Sequence, residues 1–268
     1  FFFKQKTAYE ISTRDWSSDV CSSDLLCAPT SEDVLPTIRS RCRILALRTP
    51  STFEVSSYLT NELQIKQQDA NLAASIAQGH IGRAKRYASD NELLSLRKKV
   101  LNLFLSINSE TSAIAVASQI HEIATTRAEV VNQERNEKEE ETLRSTIQGP
   151  SRGFLSGGSK ALKDLEKSQK SRLTRSIRDE LDTYLLWLQS VVRDAIAPAT
   201  ISEKISINPD LNSQLDNLRT TFTPSELEEL SSRISEYRES LESNASQLLS
   251  LESFCLQFRS KKMVRSTP

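Results

Sequence analysis

The sequence predicts a mainly α-helical protein with three parts: a short α/β segment, a small three-helix domain and a larger helical domain. Glycine and proline are scarce, with 6 and 8 among 268 residues, and 26% of residues are charged while 6% are aromatic. That composition is typical of helix-rich globular chains rather than β-sandwiches or barrels. Apolar residues spaced three and four apart, with capping sequences before them, recur along most of the chain.

Residues 1 to 25 resemble an in-frame translation of short-read sequencing adaptors, and we exclude them from the fold prediction. The resemblance lies in the stretches 4–10 and 15–25. An ordinary N-terminal segment and a signal peptide are the alternatives, but no basic flank leads into an apolar core of about 7 to 15 residues. We therefore expect this chain to be the C-terminal part of a longer protein, cut upstream of Leu26.

Residues 26–50 are predicted to form two strands around a short helix. Leu25–Ala28 is a short apolar run, and Pro36 is expected to end the helix that follows it. Ile44–Leu47 is short and apolar enough for a buried strand of a parallel sheet. The other strands of that sheet would precede this segment, so we expect it to be the least ordered genuine part of the chain.

Residues 51–90 are predicted to form three short helices. The run Ser51–Glu54 is a capping box, and a helix should follow it to about residue 65. A second helix should begin near Asp69 and stop at Gly79, the residue type that best tolerates a left-handed C-terminal position. A third should start at Gly82. Three short helices with brief turns predict a small lid-like domain.

The remainder, residues 91–268, is predicted to form a larger helical domain. Ser89–Glu92 is another capping box and precedes an amphipathic helix. A long helix from Thr111 to about Leu143 becomes too polar to be buried on any face, which favours an exposed helix or arm. The glycine-rich part of 147–160 lacks the Gly-Lys-Ser/Thr ending of a phosphate-binding loop, so we predict a linker.

A strongly basic helix is predicted from Lys160 onward. Its cationic side chains recur at helical spacing. They are Lys163, Lys167, Lys170, Arg172, Arg175 and Arg178. A solvated or subunit-facing helix is the favoured interpretation. Contact with DNA is the alternative, disfavoured because acidic residues are interleaved and aromatic residues are not. The same helix continues as an amphipathic core helix that ends before Pro198.

Three further helical patterns close the chain. Leu211–Leu218 marks one helix, and Thr223–Glu226 combines a capping box with Pro224 at the first helical position. The last pattern, Asn244–Phe258, is rich in apolar residues. We expect it to pack within the helical bundle or between subunits.

Composition bounds the possible functions. The 35 Lys and Arg residues balance 35 Asp and Glu residues, so any DNA contact must be local or shared. The sequence contains no apolar run of about 18 residues, so it predicts no membrane span. The cysteines outside 1–25 lack Cys-x-x-Cys spacing, which favours reduced thiols in the cytoplasm. His80 and His121, the two histidines, lie at no metal-ligand spacing, so we expect no metal site and no hydrolytic catalysis.

The most informative motif lies in Pro36–Arg43, which reads Pro-Thr-Ile-Arg-Ser-Arg-Cys-Arg. Ser40, Arg41 and Cys42 match, residue by residue, the Ser-Arg-Cys motif with which AAA+ clamp-loader subunits reach a neighbour's ATP site. The resemblance implies that Arg41 is an arginine finger and that the other two are its motif neighbours. Such a planar cation stabilises the charge that develops on the γ-phosphate and increases the rate of phosphoryl transfer about 10³- to 10⁵-fold.

Two other stretches extend the resemblance, which is to δ′-type subunits of bacterial DNA polymerase III clamp loaders in their actinobacterial form. Ala77–Ala84 resembles the sensor-2 region of AAA+ proteins, where an arginine at the start of a lid helix faces phosphate. Arg83 matches that arginine, and a helix N-terminus would add to its charge. A surface or structural arginine is the alternative. Asn244–Glu252 is similar to the end of the family's collar, although leucine-rich terminal helices are common.

The resemblance implies a fold and an assembly. The fold would be a C-terminal remnant of an AAA+ α/β core over 26–50, a three-helix lid over 51–90 and a helical collar over 91–268. The function would be to supply Arg41 in trans while the sliding clamp is loaded on primed DNA during replication. Partners would be δ and γ/τ subunits in a hetero-pentamer. ATP would bind the neighbouring subunit, with no cofactor and no intrinsic catalysis in this chain.

Two other functions stay open at the level of sequence. The chain could belong to the ATP-hydrolysing motor subunit of the same assembly, which would carry its own phosphate-binding loop upstream. It could instead be a helical scaffold unrelated to replication. An Arg41 or Arg83 held in structural ion pairs would favour the scaffold.

Overall fold

A computed structural model describes residues 26–28, 30–147, 158–197, 206–241 and 246–259, and the rest, including the adaptor-like segment 1–25, lie outside this description. All regular secondary structure in the described residues is helical, which confirms the mainly α fold class. The helices, after a 3₁₀ turn at Ser31–Asp33, are α1 (Pro36–Arg39), α2 (Thr52–Leu63), α3 (Gln67–Ala77), α4 (Ile81–Ser89), α5 (Asn91–Leu105), α6 (Glu110–Ile147), α7 (Gly158–Ile196), α8 (Asn212–Thr221), α9 (Pro224–Ser240) and α10 (Gln247–Arg259). None of these helices is long and apolar enough to cross a membrane.

The chain divides into two compact units, residues 1–48 and 49–268. In the first unit the predicted strands are wrong for the residues described. Leu26–Ala28 and Ile44–Leu47 adopt no regular structure, and Leu45 and Leu47 are 79% and 88% exposed. A strand needs a neighbour for its backbone groups, and no strand is present among the described residues. Pro36 does not end a helix but starts α1, where its fixed φ and missing N–H fit the first helical position.

The second unit begins with the three predicted short helices. The capping box at Ser51 forms, with the Ser51 Oγ accepting from the Glu54 N–H at 3.3 Å. Helix α3 stops at Ala77, and both Gln78 and Gly79 are left-handed. A side chain at residue 79 would come within 2.8 Å of the Pro50 carbonyl oxygen, so glycine is required by space as well as by φ.

One hydrophobic core continues from these three helices into the rest of the unit. It runs from Val55 on α2 to Phe258 on α10. Helix α4 is tied to α7 by a buried hydrogen bond, in which the Trp187 Nε1–H donates to the Tyr87 hydroxyl at 2.7 Å. The capping box predicted from Ser89 is not formed. Instead Asp90 caps α5 by accepting from the Leu93 N–H.

Helices α6 and α7 pair as an antiparallel hairpin whose distal half we call the arm, residues 133–147 and 158–176. The Asn132 side-chain amide donates to the Ser176 hydroxyl at 2.8 Å, and the Arg172 guanidinium spans both Glu139 oxygens at 2.9 Å. No described side chain of the arm is buried. The predicted exposed helix or arm is therefore half of a two-helix arm about 22 Å long, at 1.5 Å per residue. The predicted linker lies largely outside the described residues.

The terminal helix α10 uses its apolar face inside the chain. Leu251, Phe254, Cys255 and Phe258 are all buried. The Phe254 ring stacks on the ring of Tyr237 at 5.0 Å between centroids, and α10 packs mainly against α6. Of the two packing modes expected for this helix, the structure contains the one within the bundle.

Candidate functional site

The Ser-Arg-Cys motif forms the tight turn that ends α1. The Ser40 hydroxyl donates to the Thr37 carbonyl at 3.2 Å, and the Arg41 N–H donates to the Ile38 carbonyl at 3.0 Å. The Cys42 N–H bonds the Arg39 carbonyl at 3.3 Å in the same way. These bonds satisfy the carbonyl groups that a helix end leaves without partners. The three motif residues therefore have a defined backbone geometry although the helix before them is one turn long.

The Arg41 side chain is exposed, and among the described residues it forms no ion pair and no hydrogen bond. The neighbouring arginine on α1 behaves differently. The Arg39 guanidinium donates to the Ser31 carbonyl at 3.3 Å and lies 3.9 Å from the Glu32 carboxylate. The two arginines therefore differ, because the Arg39 side chain binds residues of its own unit and the Arg41 side chain does not. Arg41 retains five donors that can engage an anion outside this unit.

Arg83 lies in the second unit, in the first turn of α4, and is also exposed. Its backbone N–H donates to the His80 Nδ1 at 3.2 Å, so His80 is the N-cap of this helix. From the sequence, His80 was considered only as a possible metal ligand. A cap at this place occupies one of the amides that an anion at the helix N-terminus would otherwise use.

No group of three or more His, Cys, Asp or Glu side chains in the described parts of the chain could hold a metal ion. Cys42 of the motif and Cys27 are exposed free thiols, whereas Cys255 is buried. Burial raises the pKa of the Cys255 thiol to about 12. The thiolate is the reactive form, so the buried thiol should be inert while the fold is intact.

We expect iodoacetamide near pH 8 to alkylate Cys27 and Cys42 and to spare Cys255 until the chain unfolds, as read by peptide mass mapping. Between the ordinary thiol pKa of 9.0 and about 12, the folded thiol keeps a proton that the unfolded chain releases. Stability should therefore fall as pH rises through this range. Equal alkylation of Cys42 and Cys255 in the folded protein would contradict this assignment.

Sequence reasoning missed a buried polar cluster around Arg97. This arginine has no exposed side-chain surface, yet its guanidinium donates to both carboxylate oxygens of Asp210 at 3.0 and 3.2 Å and to the Asn208 side-chain oxygen. Burial lowers the pKa of Arg97, and the charge of Asp210 opposes that effect. The signal was visible in the sequence, since Arg97 stands four residues after Leu93 and three before Val100, on the apolar face of α5.

The same cluster anchors the chain after α7. The Asp194 carboxylate accepts from both the backbone N–H and the side-chain amide of Asn208, each at 2.9 Å. The Arg219 guanidinium donates to the carbonyls of Asp194, at 2.8 Å, and Ala197, and so caps the end of α7. These bonds join α5, α7 and α8 and are structural.

No protein-family model, curated protein or solved structure matches this chain.

Proposed function

We propose that this chain belongs to a subunit of a DNA polymerase III-type clamp loader and supplies Arg41 in trans to the ATP site of a neighbouring subunit. The observation that carries the proposal is the Ser40-Arg41-Cys42 turn, with an exposed arginine that has no partner among the described residues. An arginine in a structural ion pair would have been neutralised by its own chain. The alternative of a scaffold is less well supported, because neither Arg41 nor Arg83 makes a described ion pair.

The proposed chemistry requires little from this chain beyond position and charge. Phosphoryl transfer develops charge on the γ-phosphate oxygens, and a guanidinium placed there stabilises the transition state more than bound ATP. The backbone hydrogen bonds of the motif turn restrict the position of the Arg41 backbone. The long side chain is free to reach into a second protein.

The proposal is tested by combining the gene product that contains this chain with purified δ, γ/τ and clamp subunits. We expect one complex on gel filtration and ATPase activity, stimulated by primed DNA, that requires the added chain. A chain that elutes apart from the other subunits and leaves their ATPase unchanged would refute the proposal.

A further inference from the structure

An open groove runs along one face of the arm. It begins at Val131, at the base of the arm, and extends along α6 to Thr146, which is about 22 Å at 1.5 Å per residue. Its apolar lining is completed by Leu143, Ala161 and Leu165. The groove has a volume of about 720 Å³ but is open to solvent along its length. Such a shape does not enclose a small ligand, so it suits the surface of another macromolecule.

The groove continues a face of α6 that is buried nearer the start of the helix. Val131 stands one heptad after Ala124 and two after Ala117, and residues a heptad apart lie on the same side of a packed helix. Both alanines are fully buried, whereas Val131 is 64% exposed. Helices α5, α7 and α10 pack on α6, but only α7 lines the groove with it. The arm therefore presents two helices of a bundle whose other half is absent from the described part of the chain.

The charges along the groove balance one another. Glu134, Arg135, Lys138 and Glu139 line it, so two acids face two bases. Arg135 forms an ion pair with Glu139, which also bonds Arg172. Glu134 and Lys138 pair with each other and are mostly exposed. An exposed pair of this kind contributes little to stability and can exchange partners. A balanced lining disfavours a strongly charged occupant and favours a surface of mixed charge.

A second copy of the arm supplies such a surface. Glu134 and Lys138 lie equally far from Asn136 along α6, on either side of it. A two-fold axis that crosses the arm at the level of Asn136 would therefore bring Glu134 of each copy opposite the partner's Lys138. The same rotation would bring Val131 near the partner's Leu143. The product would be an antiparallel four-helix bundle, and an isologous contact of this kind closes as a dimer.

We propose that the arm is a homodimerisation surface, in which the groove of one copy packs on the groove of a second copy. The inference rests on the arm alone and is independent of Arg41 and of the proposed ATPase role. A face about 22 Å long and about 20 Å wide, the width of two helices, covers about 440 Å² per copy, near half of a standard interface. The dimer should therefore be reversible, with a dissociation constant on the order of 10 to 100 µM.

Sedimentation equilibrium of the full chain over about 5 to 500 µM tests the dimer. We expect the mass to rise from that of a monomer to that of a dimer. Val131→Glu should weaken association at least about 10-fold, because it places two charges in the apolar part of the contact. Val130→Glu is the matched control, since Val130 is 66% exposed but lines a different groove of the arm. That variant should dimerise as the wild type does.

Charge reversal tests how the two arms pair. Glu134→Lys and Lys138→Glu each place like charges opposite one another across the two-fold axis, so each variant alone should associate at least about 10-fold more weakly than the wild type. An equimolar mixture of the two variants should form heterodimers, because the lysines of one chain then face the glutamates of the other. Neither variant regains the Glu134–Lys138 pair within its own chain, so a recovery of this kind cannot arise from better folding.

Circular dichroism verifies that every variant keeps the helical content of the wild type. Three results would overturn the proposal. The first is a wild-type chain that stays monomeric over the whole concentration range. The second is an equal loss of association in Val130→Glu and Val131→Glu. The third is a mixture of the charge-reversed variants that associates no better than either variant alone.

Discussion

Under the proposed function, replacing Arg41 by alanine is expected to slow single-turnover ATP hydrolysis at the neighbouring subunit's site by about 10³- to 10⁵-fold. By transition-state arithmetic that loss equals about 4 to 7 kcal/mol. The reason is that the finger stabilises charge that exists only as the γ-phosphate leaves. Arg41→Lys should recover little, because an ammonium cannot reproduce the planar, five-donor geometry of guanidinium.

The control for this prediction stands two residues away. Arg43 is also exposed and follows the same turn, so Arg43→Ala removes an equal charge from the same segment. We expect that variant to hydrolyse ATP within a few-fold of wild type and both variants to assemble normally. Equal losses in the two variants would indicate a general electrostatic effect and would contradict a finger role for Arg41.

Replacing Arg97 by alanine is expected to lower the free energy of unfolding by about 3 to 5 kcal/mol, as measured by urea denaturation. The substitution removes the guanidinium from a buried cluster, so the Asp210 carboxylate loses two short hydrogen bonds and the Asn208 side-chain oxygen keeps only the Ser190 hydroxyl, at 3.3 Å. Most of the loss is the cost of these lost hydrogen bonds. The combined change Arg97→Met and Asp210→Leu should recover much of it, since apolar replacement of a whole buried pair is often neutral.

Lys98 supplies the matched control for the Arg97 prediction. It is the next residue, and its ammonium lies 3.8 Å from the same Asp210 carboxylate, but its side chain is 52% exposed. Lys98→Ala should therefore cost at most about 1 kcal/mol. A loss as large as that of Arg97→Ala would show that burial does not govern the difference.

Local signals explain how much of the fold was predictable. The capping boxes at Ser51 and Thr223 form as predicted, each from two residues three positions apart. The same spacing at Ser89 and Glu92 does not produce a box, because the helix begins one residue later with Asp90 as its cap. Pro36 was wrongly predicted to end a helix, because proline is compatible with two different places at a helix boundary. The same ring that excludes proline from a helix interior suits it to the first turn, and only the residues after it decide between the two.

Long-range partners explain the rest. Arg97 bonds Asp210 across 113 positions of sequence, and no periodic pattern identifies such a partner. The pairing of α6 with α7 was missed for the same reason, since Glu139 reads as a solvated charge until Arg172 is placed beside it. For the candidate site, the sequence motif made Arg41 a candidate, and the structure shows that its side chain is exposed. His80 was missed because histidine is an uncommon N-cap.

The central claim, that Arg41 meets the transferring phosphate of another subunit, is tested most directly with a transition-state mimic. Affinity for ADP with aluminium fluoride and for unhydrolysed ATP should be compared in complexes assembled with wild-type and Arg41→Ala chains. A finger acting on the transition state predicts a large loss of affinity for the mimic and little change for ATP. Unchanged affinity for the mimic in the Arg41→Ala complex would contradict the claim.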